Sequence, residues 1–115
     1  MSMQIIDSER IKELSDIDED GSNSTLKELI QMYFESMPQR LSDLSQMLDE
    51  KNYIELKKIA HSIRSSSLSF GAEKLSDIVF KIEYAKEDFT HDEFSRKVSE
   101  LAIAFTEVKK ALEKY

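Results

Sequence analysis

The sequence predicts an all-α protein, an antiparallel up-and-down four-helix bundle with a short additional N-terminal helix. Three observations support this. Only two glycines and one proline interrupt 115 residues. No stretch alternates apolar and polar residues at the period of a β-strand. Apolar residues instead recur three and four apart in successive segments, which lays a stripe along one helix face. Helices of this kind joined by short loops can bury their stripes against one another as a bundle.

Taken in order, Asp7 can cap a short first helix carrying Ile11 and Leu14, a lid or brace, and the acidic stretch from Asp16 to Ser24 with Gly21 reads as a loop. Residues 1–22 are therefore expected to form an N-terminal helix and acidic loop, residues 24–115 the bundle, and 1–115 a single domain. Ser24 can cap a longer second helix with Leu26, Leu29, Ile30, Tyr33, Met37, Leu41, Leu44 and Leu48 on its stripe. Pro38 lies inside that pattern and is expected to bend the helix rather than break it, because the stripe continues beyond it. Asn52 can start a third helix whose core side holds Leu56, Ile59, Ala60, Ile63, Ser67 and Phe70, with Gly71 at its end. Leu75, Ile78, Val79, Ile82 and Ala85 form the fourth stripe. After the polar interval from Lys86 to Asp92, in which Thr90 can act as a cap, Phe94, Val98, Leu101, Ala102, Phe105, Val108 and Leu112 form the last.

Composition narrows the function classes. Cysteine is absent, which removes disulfides, thiolate metal sites and a cysteine nucleophile, and fits a reducing cytoplasm, the expected location. The opening Met1-Ser2-Met3-Gln4 has no basic run leading into an apolar core, so no standard export signal is expected. No apolar stretch approaches the roughly 20 residues of a membrane span. A net charge of −7 argues against nucleic acid as the main partner, since phosphate backbones are bound by clustered Lys and Arg.

Against this acidic background, Lys51, Lys57, Lys58 and Arg64 are opposed locally only by Glu55, and His61 lies among them. Residues three and four apart are neighbours on a helix, so Lys57 and Lys58 precede the ring by a turn while Arg64 and Ser65 follow it. An exposed imidazole is a nucleophile toward phosphorus near neutral pH without a dedicated strong base. Phosphoryl transfer depends on positioning and on cations that offset charge on the equatorial oxygens, the expected task of Arg64. Ser65 or Ser66 could offer a hydroxyl to the phosphate. There is no P-loop, kinase-type Gly-rich loop or nucleotide-lid motif, so the chain is not expected to use ATP itself and must receive phosphate from another protein.

The order Ala60-His61-Ser62-Ile63-Arg64-Ser65-Ser66-Ser67, followed by Gly71-Ala72, resembles the phosphoacceptor motif of histidine phosphotransfer (HPt) domains. The resemblance in pattern runs over roughly residues 24 to 88, including Met37-Pro38-Gln39-Arg40-Leu41. It implies a monomeric helical phosphocarrier in which His61 is phosphorylated through Nε2, with Lys57, Lys58 and Leu68 on the partner-binding face and Gly71 and Ala72 as structural members of the motif. It further implies receiver domains as donor and acceptor, a hybrid sensor histidine kinase upstream, and Mg²⁺ supplied by the receiver, with no metal or cofactor of the chain's own. Arg64 stands where the family usually has lysine, and Ser65 where glycine is frequent. The forked guanidinium can hold phosphate oxygens and slow onward transfer, and the hydroxymethyl group slightly crowds a docking receiver.

Two other readings compete. A helical adaptor binding a signalling protein would share the bundle but would have no chemical need for the imidazole. The phosphoacceptor region of a sensor kinase usually has an acidic residue directly after the histidine and a proline soon after, where this chain has Ser62 and Ser66. His91 has no basic companion and is expected to be structural or exposed. Neither histidine has a second metal ligand at helical spacing, and the Met and Phe residues are expected to pack in the core.

Overall fold

The computed structural model describes residues 3–115; Met1 and Ser2, part of the expected 1–22 segment, lie outside the described residues. Five helices follow in order: α1 (Ser8–Ser15), α2 (Ser24–Asp49), α3 (Tyr53–Leu68), α4 (Glu73–Glu83) and α5 (His91–Leu112), with no strand among the described residues. Helix α2 packs on α3, α3 on α4 and α4 on α5; α5 returns to α2, and α1 lies against α2. The predicted stripes meet in one core centred on Tyr33, Met37, Leu44, Leu56, Ile63, Phe70, Leu75, Ile82 and Leu101. The Tyr33 ring meets Phe70 and Phe105 edge-on, at centroid distances of 5.1 and 5.7 Å.

Local chemistry sets the helix ends. The side chains of Asp7, Asn52 and Thr90 accept hydrogen bonds from the backbone N–H groups of Glu9, Glu55 and Glu93, as expected of caps. The start of α2 differs from expectation. Asn23, not Ser24, occupies the cap position, in a left-handed conformation (φ 59°) and without a side-chain cap bond. The acidic loop supplies the missing acceptor, for Asp18 Oδ2 takes the Thr25 N–H at 2.7 Å and Asp18 Oδ1 the Thr25 hydroxyl at 3.0 Å. Helix α2 runs through Pro38 unbroken. In α5 the inward alanine is Ala104, whereas Ala102 is exposed. Ala104 continues the spacing of Leu101, Phe105 and Val108, and Ala102 lies one residue, about 100° of rotation, off that line. Ala85 lies just past α4 and is half-buried.

The connection from α3 to α4 shapes the end of the bundle near the candidate site. Gly71 has φ +65°, and a Cβ there would run into Asp7. The glycine therefore supplies both the left-handed turn and room for the N-terminal segment. That segment is tied to the turn by Asp7 N–H donating to the Phe70 carbonyl at 3.0 Å and Lys74 N–H donating to the Gln4 carbonyl at 3.1 Å. Ala72 is fully buried beneath it as the first residue before α4.

Candidate functional site

Helix α3 buries Leu56, Ala60, Ile63 and Ser67, which turns His61 and Arg64 to its outer side by helical geometry alone. The His61 side chain is 62 % exposed. Its Nδ1 lies 2.6 Å from Oε2 of Glu83, the last residue of α4. One turn along α3, Arg64 Nε donates to Glu83 Oε1 at 2.6 Å, with a longer contact of 3.5 Å from the guanidinium terminus to Oε2. A single carboxylate, its side chain only 9 % exposed, thus serves both residues.

Aromatic rings close this arrangement from the α4 side. The Arg64 guanidinium carbon lies 5.7 Å from the Phe80 ring centroid and 5.6 Å from that of Tyr84, within reach of cation–π attraction. Phe80 and Tyr84 stand one turn apart, with centroids 4.7 Å from each other and both rings largely open to solvent. Burial pushes the Glu83 carboxyl up, but the hydrogen bonds from Arg64 and His61, together with their charges, prevail and hold it below the usual carboxylate range. The bond to Glu83 in turn raises the Arg64 pKa above its already high ordinary value.

The other expected site residues are distributed differently. Lys57 reaches across to α4 and donates to the Ala85 carbonyl at 2.7 Å, while Lys58 pairs with Glu55 at 3.3 Å. The Ser66 hydroxyl accepts from Arg40 of α2 at 3.1 Å and faces the carbonyls of Ser62 and Ile63 at 3.2 and 3.1 Å, so it is engaged within the bundle. Ser65 is exposed on the His61 side, with no side-chain hydrogen bond among the described residues. Leu68 is exposed beside Arg64, Phe80 and Met3 along a shallow groove. His91 is half-buried far from this site in sequence, its Nδ1 2.8 Å from the Tyr53 hydroxyl.

Sequence reasoning missed Glu83, Phe80 and Tyr84. One signal was available: Phe80 and Tyr84 are large aromatics spaced i,i+4 outside the α4 stripe of Leu75, Val79 and Ile82, a pair with no place in the core. Nothing in the local sequence marks Glu83, whose role arises only from the packing of α4 on α3.

The profile of the Hpt domain family matches residues 28–114, spanning α3, α4 and both residues that share Glu83. The chain belongs to the Hpt domain family. Proteins with an Hpt domain are phosphocarriers rather than kinases, and membership places this chain in histidine phosphotransfer and two-component signalling. The phosphorelay protein LuxU of Vibrio harveyi is 28 % identical over 83 residues, which cover 72 % of this chain and 70 % of that protein. No solved structure matches the chain. No helix among the described residues of this Hpt protein is long and apolar enough to cross a membrane.

Proposed function

We propose that this Hpt protein is a histidine-containing phosphocarrier that accepts a phosphoryl group on His61 from a receiver-domain aspartate and passes it to another receiver. The observation that carries this reading is an imidazole 62 % exposed on the outer face of α3, with Nδ1 engaged by Glu83. The nitrogen left for an incoming phosphoryl group is Nε2. Ser65, one turn along on the same side, is small enough for a receiver's active site to approach closely. Exposed Leu68 and the hydrocarbon stems of Lys57 and Lys58 extend the docking face along α3.

In this reading the protein is one domain and a monomer in the cytoplasm. It takes phosphate that a hybrid sensor kinase has placed on a receiver, and it has no ATP-dependent activity of its own. The Mg²⁺ belongs to the receiver. Helices α2 to α5 form an antiparallel up-and-down bundle. Support comes from contacts that descend α4 as they ascend α3: Lys57 with Ala85, His61 with Glu83, and Arg64 with Phe80.

The test is transfer from a ³²P-labelled receiver to the wild-type chain and to His61→Gln. Label on the wild type alone, lost in acid and stable in base, is the expected result, with helical content equal in the two proteins. Label persisting on His61→Gln would move the acceptor elsewhere, and no label from a broad panel of receivers would favour the adaptor reading.

A further inference from the structure

We infer that the cavity between α1, the start of α2 and the residues after α5 is a binding site for a small organic phosphate, a phosphomonoester with a short apolar body. The site is separate from His61 and does not depend on its phosphorylation.

The cavity measures about 450 Å³, within the range that holds small ligands. Lys12 of α1, Lys27 of α2 and Lys114 beyond α5 line it, and no acidic side chain does. Among the described residues none of these three lysines forms an ion pair or a side-chain hydrogen bond. Elsewhere Arg10, Lys58, Arg64, Lys74, Lys81 and Lys97 each meet a carboxylate within 3.3 Å. Although carboxylates outnumber cations in the chain, the three lysines face one hollow without a counter-charge, and an anion placed among them removes their mutual repulsion. The floor is apolar, with Ile11 and Leu26 each 2 % exposed. Beside them Asn23 takes a left-handed φ of 59° and accepts the Ser15 hydroxyl on Oδ1, which leaves its amide NH₂ without a partner among the described residues.

These groups fit a phosphomonoester better than other anions. Its head carries a charge of about −1.5 to −2 near neutral pH and three accepting oxygens; a carboxylate has a single charge and two oxygens. Ammonium groups meet phosphate as point charges, whereas bidentate recognition of a carboxylate takes an arginine, and none lines the cavity. An apolar body on the ligand covers Ile11 and Leu26. A polyanion such as nucleic acid would press its remaining charge against a chain of net charge −7, so the confined hollow selects a small ligand.

No residue of the phosphoacceptor site lines the cavity. Arg40, which meets Ser66 of α3, lies thirteen residues beyond Lys27 on α2, about 20 Å at 1.5 Å per residue. The cavity is thus no extension of the docking face along α3. A ligand in it bridges α1 to α2 and to the residues after α5, and occupancy should stabilise the fold by mass action.

Phenyl phosphate, inorganic phosphate, benzoate and phenol serve as probes, titrated into the ¹⁵N-labelled chain and followed in amide spectra with no receiver present. Phenyl phosphate is expected to shift the amides of Lys12, Ser15, Asn23, Lys27 and Tyr115 saturably. Each of the other probes should bind at least about tenfold more weakly, since each lacks either the apolar body or the dianionic head. In the double variant Lys12→Gln, Lys27→Gln the affinity for phenyl phosphate should fall about ten- to a hundredfold through loss of two charge-assisted contacts. His61→Gln should bind it as the wild type does. Both lysines are exposed, and amide dispersion confirms that the double variant is folded. Unsaturable shifts scattered over exposed lysines such as Lys51 and Lys86 would overturn the inference as an adventitious ion only. So would any other probe binding as tightly as phenyl phosphate, an unchanged affinity in the double variant, or shifts centred on His61 and Arg64. Phosphotransfer enters none of these measurements, so its failure would refute the acceptor reading alone.

Discussion

The two faces of α3 use polar groups in opposite ways. On the outer face His61 and Arg64 converge on one carboxylate beside open solvent, where the Arg64 guanidinium and the Glu83 carboxylate offset each other's charge. On the inner face the one buried polar contact is neutral: the Ser67 hydroxyl, fully buried, bonds the Tyr33 hydroxyl at 2.7 Å amid Phe70 and Phe105. The difference shows how one helix separates reactivity from stability. A charged network can sit where water still reaches it and be available for chemistry, whereas a buried polar group must be neutral and satisfied. Changes to the outer face should therefore alter transfer and spare the fold, and changes to the inner face should do the reverse.

The largest effect on stability that would test this division comes from the inner face. Ile63 is fully buried between His61 and Arg64 in sequence. Ile63→Ala should cost about 2–5 kcal/mol by lost burial and a residual cavity, read as a lower urea midpoint with unchanged slope. At temperatures where the variant remains folded, its rate of phosphorylation should match the wild type. A large loss of transfer in fully folded Ile63→Ala would show that the two faces are coupled.

Alkaline pH gives a somewhat smaller inner-face effect. Burial pushes the Tyr33 phenol up to about 12, against the opposing pull of the Ser67 hydrogen bond and the Arg40 charge. The folded chain then keeps this proton where the unfolded chain, with a phenol near 10, has lost it. Stability is full below about pH 10 and falls as pH rises toward about 12, by a total of about 2–3 kcal/mol at roughly 1.4 kcal/mol per pH unit. Tyr33→Phe should flatten that alkaline decline in urea titrations at successive pH values. It should also lower stability at neutral pH by about 1–3 kcal/mol if the Ser67 hydroxyl is left without a partner. An unchanged alkaline decline in Tyr33→Phe would assign it to another group.

The inner face was legible in the sequence and much of the outer face was not. Periodicity alone identifies Leu56, Ala60, Ile63, Ser67 and Phe70 as core, because burial repeats with the helix. Caps at Asp7, Asn52 and Thr90 follow from local rules, and the left-handed turn at Gly71 from glycine's freedom at positive φ. The α2 cap was misread because its acceptor, Asp18, lies seven residues from the donor it serves. The outer face shows the same limit. His61 and Arg64 could be paired from their spacing, but Glu83 reaches them across 22 and 19 residues of chain, and only packing of α4 on α3 brings it there. Lys57 and Ser66 carry similar information, since their partners lie outside α3, Ala85 just past α4 and Arg40 on α2.

Acid pH gives the smallest effect and probes the outer face. Glu83 is held below its ordinary value of 4.5, so the folded chain retains the charged carboxylate where the unfolded chain has begun to take up a proton. The resulting stability is present above about 4.5 and is lost as pH falls through the lower folded value. Glu83→Gln should lack this increment, so its stability should converge on that of the wild type as pH drops below about 4. The same protonation turns the charge-assisted acceptor facing His61 Nδ1 into a weaker neutral one, so the ring's hold on Glu83 should loosen over the same acid range in the wild type. Following the His61 ring and the urea midpoint together decides the matter: parallel changes tie the outer face's small stability term to the group that orients the imidazole, while a stability decline without a change at the ring would place that term on one of the chain's other carboxylates.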